Sequence, residues 1–160
     1  MKYILAIIFA VTIGISWAQN TSEAQLANEY YGQGDYDKAK NIYDNLAKNY
    51  ANIPLIHNNY FFLLMELDEY KVAEKYIKRL TKKFPNNLYY HLDLGLLYYN
   101  SGDLDKADKY FNELIREVTA DGYRTRITAE YFVSKRLTPY GIKTFEEGRI
   151  SIFIANSLSS

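Results

Sequence analysis

Two histidines, His57 and His91, and two pairs of aspartates, Asp35/Asp37 and Asp103/Asp105, are the side chains of this chain whose types and spacing could do chemistry. Imidazoles ligate metals and move protons near neutral pH, and paired carboxylates divide acid and base work. The placement of these residues argues for simpler roles. His57 and His91 are widely separated in sequence, and only Asp93 lies near enough to join either of them. Two ligands do not make a zinc site. Each aspartate pair falls where a helix should start, and carboxylates there stabilise the positive end of the helix dipole. Cysteine is absent. No phosphate loop, nucleophile motif or cofactor fingerprint occurs. The sequence therefore offers no catalytic, cofactor-binding or metal-ligating set, and its function has to be sought in surfaces.

The interval of 34 that separates the histidines organises the rest of the chain. Ala39, Ala73, Ala107 and Gly141 form a column of small residues at this spacing, each four positions before a bulky one at Tyr43, Ile77, Phe111 and Phe145. Leu46, Leu80, Leu114 and Gly148 make a third column, Tyr30, Leu64, Tyr98 and Phe132 a fourth, and Ala27, Phe61, Gly95 and Ala129 a fifth, mostly small. Self-similarity at such a period is the signature of a helical solenoid. Two copies share an acidic turn, Gly34-Asp35-Tyr36-Asp37-Lys38-Ala39 and Gly102-Asp103-Leu104-Asp105-Lys106-Ala107, with Leu67-Asp68-Glu69-Tyr70 in the matching place between them.

These columns and turns closely resemble the tetratricopeptide repeat family. Leu94-Gly95 followed by Tyr98 matches its Leu-Gly-x-x-Tyr element, and Phe84-Pro85 its proline between repeats. The resemblance implies an all-α, right-handed superhelical solenoid of about four helix-turn-helix repeats, drawn at 20–53, 54–87, 88–121 and 122–155, with a polar tail at 156–160 expected to fray. The fourth repeat departs from the pattern: Thr138 and Pro139 stand in place of the usual turn, and Gly148 replaces a larger residue. Glycine within a helix costs about 1 kcal/mol against alanine, which predicts that the last helix is the least stable. Asp35, Asp68, Asn87 and Asp103 are placed to cap helices, and Pro54 suits a first helical turn.

Residues 1–18 are of another kind. Lys2 precedes an uncharged, mostly apolar run from Tyr3 to Ala18, and Ser16-Trp17-Ala18 puts small residues where a signal peptidase inspects. This predicts a cleaved signal peptide and a periplasmic or cell-envelope protein. An uncleaved anchor is the alternative, although a spanning helix needs about 20 apolar residues and this run stops at Gln19-Asn20-Thr21-Ser22. The whole chain balances 19 basic against 19 acidic side chains, which gives no electrostatic reason to expect nucleic acid or an anionic membrane surface as partner.

In this family the stacked first helices line a concave groove. The resemblance places Asn28, Tyr31, Asn59, Phe62, Met65, Tyr89, Leu92, Leu96 and Tyr99 in it, with Ala24, Leu55 and Asn58 beside them. Members that grip a C-terminal carboxylate use a Lys and an Asn in the first repeat, an Asn in the second, and a Lys and an Arg in the third. The corresponding residues here are Ala24, Asn28, Asn59, Tyr89 and Asp93, so both asparagines are present and all three cations are missing. Asparagine donates and accepts at once and suits a peptide backbone, whereas a carboxylate needs positive charge. The expected occupant is an apolar, extended or helical segment of a protein partner. The competing reading is that the face is covered by the protein's own continuation or by a second copy. Self-association could also use the apolar last helix, which carries Ile142, Phe145, Ile150, Ile152, Phe153 and Ile154. Two function classes follow: a non-enzymatic adaptor or assembly scaffold, and an N-terminal regulatory or targeting region of a larger enzyme or envelope machine. The Asn58-Asn59-Tyr60 and Tyr90 to Gly95 stretches also resemble the N-terminal region of longer exported repeat proteins from Bacteroidota-type bacteria.

Overall fold

Small residues at fixed intervals let helices cross closely, and the computed structural model of this chain is built on that device. It describes residues 21–158, with side chains described as far as Gly148. The predicted signal segment 1–18 lies outside the described residues, as do residues 159–160. All regular structure among the described residues is helical: α1 (21–32), α2 (Tyr36–Leu46), α3 (Ile53–Glu66), α4 (Tyr70–Lys83), α5 (Leu88–Asn100), α6 (Leu104–Val118), α7 (Gly122–Ser134) and α8 (Thr138–Leu158), with one 3-10 turn at Tyr50–Asn52. No described helix is long and apolar enough to cross a membrane. The helix starting at Thr138 runs to Leu158, through positions 156–158, where the sequence predicts a frayed tail.

The chain forms two compact units that divide between Glu69 and Tyr70. In the first, α2 packs on α3. In the second, each helix packs on the next in sequence, and α5 also touches α7 while α6 touches α8. That contact of alternate helices is what a repeat needs, since a single helix pair cannot bury its apolar face. Ala39, Ala73 and Ala107 are fully buried, as are Tyr43, Ile77 and Phe111 four positions on. The fourth bulky member differs: Phe145 is 47% exposed.

Two glycines sit where a methyl group has no room. At Gly95 the ring of Phe111 stands where a Cβ would be. That ring is held on two further sides, 4.9 Å from Phe132 and 4.9 Å from Tyr140 between centroids. At Gly148 a Cβ would come within 2.5 Å of Thr125 Cγ2. The sequence reads Gly148 as a weak point of α8, whereas in the structure it permits a close crossing of α8 on α7, which pack together extensively.

The turns inside the repeats are more regular than the sequence suggests. Gly34, Asp68, Gly102 and Arg136, again 34 apart, all adopt positive φ, at 78°, 56°, 80° and 61°. Each follows its helix in the left-handed conformation, which glycine takes without steric cost and arginine does not. The fourth repeat thus keeps the turn with Arg136 in glycine's place, just before the Thr138-Pro139 pair. Asp68 occupies this left-handed position, so the residue directly before α4 is Glu69 and not the aspartate that the sequence assigns as a cap. Asn87 and Asp103 do cap, accepting from Tyr89 N at 3.1 Å and Lys106 N at 3.3 Å. Asp35 makes no cap bond and holds Lys38 Nζ at 2.6 Å instead. A further cap, Asp121, accepts from the backbone N–H groups of Tyr123 and Arg124.

The confinement of Phe111 gives a prediction. Gly95→Ala gains about 1 kcal/mol of helix propensity but must displace a ring packed on several sides, so we expect a net loss of about 1–2 kcal/mol in urea unfolding. Gly32→Ala, where nothing lies within 4 Å, serves as the control and should not destabilise. Equal effects of the two substitutions would refute the packing argument.

Candidate functional site

The first helices of the repeats are α1, α3, α5 and α7, and the predicted groove residues sit on the first three. In the first unit, Asn28 Oδ1 accepts from Tyr43 Oη at 2.6 Å and from Asn59 Nδ2 at 2.8 Å. With that oxygen doubly engaged, the amide of Asn28 and the carbonyl of Asn59 are the polar ends left for a ligand, one donor side and one acceptor side. Both asparagines are half-buried. Tyr31 donates to Glu66 Oε1 at 2.9 Å, and burial together with that carboxylate pushes its hydroxyl pKa up. Phe62 is half-buried with its ring 5.6 Å from that of Phe61, and Met65 is buried, as is Ala24.

In the second unit the predicted residues divide sharply. Tyr89 and Tyr99 are 52% and 40% exposed, but Leu92 and Leu96 are buried at 0% and 4%. The two leucines belong to packing and are removed from the set of residues that a ligand could touch. Helix α5 is buried continuously from Leu92 to Tyr98, and the alternation that would leave its middle open is absent. Helix α7, which the sequence expectation does not include in the groove, shows the same arrangement of ends. Tyr123 is 66% exposed and Val133 53%, and they stand one repeat interval after Tyr89 and Tyr99. Between them Arg126 and Glu130 form an ion pair at 3.2 Å. The repeat interval itself carries the signal that finds Tyr123 and Val133.

The histidines are absorbed by structure. His57 is buried and stacks on Phe61, with centroids 6.0 Å apart. His91 Nε2 donates to the carbonyl of Pro85 at 2.9 Å, which leaves Nδ1 to accept from Tyr110 Oη at 3.1 Å. The described residues hold no group of three or more potential metal ligands. One buried polar pair gives Asp93 a role that the sequence does not suggest for it. Asp93 is 6% exposed and accepts a short hydrogen bond from Tyr131 Oη, joining α5 to α7. Burial, followed by the charge of Asp93, pushes the Tyr131 hydroxyl pKa far up. Burial does the same to Tyr76, and raises Tyr110 to about 12.

Two open cavities flank these helices. One of about 660 Å³ is lined by the Lys83 to Tyr89 stretch and by Tyr123, Arg124 and Ile127. The other, about 410 Å³, is lined by Tyr99, Asp108, Arg136, Tyr140 and Lys143 among others. The arrangement supplies exposed rings, amides and a few charges.

Two models of the tetratricopeptide repeat match the chain, over residues 25–52 and 63–122, together more than half of its length. The chain belongs to the tetratricopeptide repeat family. It is 27% identical over 128 residues to the TPR repeat-containing protein MJ1428 of Methanocaldococcus jannaschii, an alignment covering 75% of this chain and 22% of that protein. It is 29% identical over 80 residues to human Superkiller complex protein 3, covering 50% of this chain and 5% of that one. The chain thus spans less than a quarter of either relative. Among solved structures, the MamA RS-1 ArsTM double mutant aligns with 84% of this chain and 76% of its own, at 16% identity and a TM-score of 0.46. Tetratricopeptide repeats are protein–protein interaction scaffolds.

The buried tyrosines make stability depend on alkaline pH. A tyrosine whose folded pKa lies above its unfolded value near 10 contributes stability that is present below pH 10 and is lost as pH rises through the folded value, because the unfolded chain releases the proton first. We expect the urea midpoint to be level from about pH 7 to 9 and to fall above about pH 10. Tyr131→Phe should lower stability at neutral pH by about 1–2 kcal/mol, since Asp93 loses its donor, yet show a shallower alkaline fall. A fall as steep as that of the unmutated protein would exclude Tyr131 as its source.

Proposed function

We propose that this protein is a non-catalytic adaptor or assembly scaffold of the bacterial cell envelope, exported on the segment 1–18, which holds a segment of another protein on the first helices of its repeats. One observation carries the reading. Large apolar side chains are exposed at the same two places of successive repeats, Tyr89 and Tyr123 near the starts of α5 and α7 and Tyr99 and Val133 near their ends. Equivalent places of a repeat are exposed alike by geometry, and what points to a partner is that large apolar or aromatic residues occupy them. Rings of this kind carry most of the energy of an interface once a partner covers them.

In the first unit the Asn28/Asn59 pair supports a backbone-directed grip: its amide and carbonyl match the carbonyl and N–H that an extended segment presents. The same chemistry gives no preference for a free C-terminus. Export is supported by the Lys2-led apolar run and by the small residues at Ser16 and Ala18. A second reading is an N-terminal regulatory or targeting region of a larger enzyme or secretion machine; the chain spans a small share of each relative that it matches.

Residues 19–160 used as bait in cell-envelope extract, beside the variant Tyr89→Ala/Tyr99→Ala/Tyr123→Ala, test the site. These three rings are exposed, so the variant should keep its helical circular dichroism while losing its partners. Partners retained by the variant would move the site away from these helices, toward Ile142 and Phe145 on α8. The mass of the protein recovered from the envelope tests export: it should begin at Gln19, and retention of residues 1–18 would mean an anchor.

A further inference from the structure

The 660 Å³ cavity between the α4–α5 connection and the start of α7 has two features that together specify an occupant. Two of its walls are the rings of Tyr89 and Tyr123, which are 52% and 66% exposed. Each ring stands on a pinned backbone, since the N–H of Tyr89 is held by the Asn87 side chain and that of Tyr123 by Asp121. Rings with a fixed base and a free face lose little conformational freedom on contact with an apolar side chain.

Charge supplies the second feature. The ionised side chains lining the cavity are Lys83 and Arg124, and no carboxylate lines it with them. The acidic groups nearby are already engaged. Asp121 Oδ1 takes two backbone N–H groups, and Glu130 is paired with Arg126, whose guanidinium stands 5.7 Å from the Tyr123 ring centroid. Arg124 Nη2 meets Glu117 at 3.0 Å, but the Glu117 side chain is 65% exposed. A solvated pair of that kind is weak enough for a partner's carboxylate to replace.

We propose that this cavity binds an internal acidic–apolar element of a partner polypeptide, with one bulky apolar side chain seated between Tyr89 and Tyr123 and a neighbouring Asp or Glu held by Arg124 and Lys83. The inference rests on the scaffold reading above and specifies its ligand. The cavity is open, so a chain can pass through it without presenting a terminus, and its cations select against a basic or neutral sequence by charge.

The test uses short peptides acetylated and amidated at their ends, which removes terminal charge: one with a Leu-Phe pair flanked by aspartates, one with asparagines in place of the aspartates, and one with Ser-Ser in place of Leu-Phe. Isothermal titration should give binding of the first, with affinity lower by about tenfold or more for each of the others. Arg124→Gln should weaken the first peptide by about tenfold, leave the asparagine peptide unchanged, and flatten the dependence on salt. Circular dichroism checks the fold of the variant, in which only a surface ion pair is lost. Equal affinity for the aspartate and asparagine peptides, abolished by Tyr89→Ala/Tyr123→Ala, would overturn the acidic preference and leave the scaffold reading standing. No binding of any peptide would overturn the proposal, as would a cavity occupied by a second copy of the chain, seen as a dimer that Tyr123→Ala dissociates.

Discussion

Residue 95 has no Cβ because the ring of Phe111 stands there, and much of the second unit follows from that contact. A helix pair can approach this closely only if one side contributes almost no side chain. The space saved is filled by a large residue from the other. Phe111 in turn meets Phe132 at 85° and Tyr140 at 54°, so one ring touches α5, α7 and α8 from its base on α6. The edge-to-face contact with Phe132 adds to burial and fixes orientation. Gly95 and Phe111 are therefore one device seen from two sides, while Phe61 holds the matching place of the second repeat and Phe145, the fourth bulky member, is exposed.

That device is why so much of the fold could be read from sequence. Close crossings demand small residues at definite places, and a demand of steric kind leaves its mark on residue type. The family, the helical class and the approximate number of repeats all rest on it. Features governed by conformation are harder to see. Arg136 takes the left-handed turn that glycine takes in two other repeats, and nothing about an arginine announces a positive φ. Gly148 reads as a flaw in α8 when propensity is weighed without its neighbour, and Thr125 supplies the neighbour.

The candidate site was legible at its ends and not in its middle. Position within the repeat assigns Tyr89, Leu92, Leu96 and Tyr99 to one face, yet the inner two are buried and the outer two exposed. Sequence gives direction around a helix, but how far a neighbour extends over that face is a property of packing. On α7 the same inner places hold Arg126 and Glu130, which pair with each other in solvent. The apolar character of the face is thus concentrated at helix starts and ends, where Tyr123 and Val133 continue what Tyr89 and Tyr99 begin. The buried Asp93–Tyr131 bond was invisible for the same reason: it joins two different helices off the repeat interval.

The division between ends and middle has a mechanical consequence for binding. A face that is apolar along its whole length would gain affinity from any greasy segment and would discriminate poorly. Here the anchors are separated, and the charges beside them differ: Lys83 at the end of α4 and Arg124 line the cavity with Tyr89 and Tyr123, and Asp108 and Arg136 line the other with Tyr99. On the proposal made above, a partner places an apolar side chain and an acidic one together at the first place, with the energy coming from the rings and the selection from their ionised neighbours. The caps that pin Tyr89 and Tyr123 belong to this arrangement, because a ring on a frayed helix start would have to be ordered at the moment of binding. On the proposal made above, the hydrogen bonds that begin α5 and α7 serve recognition as well as the fold.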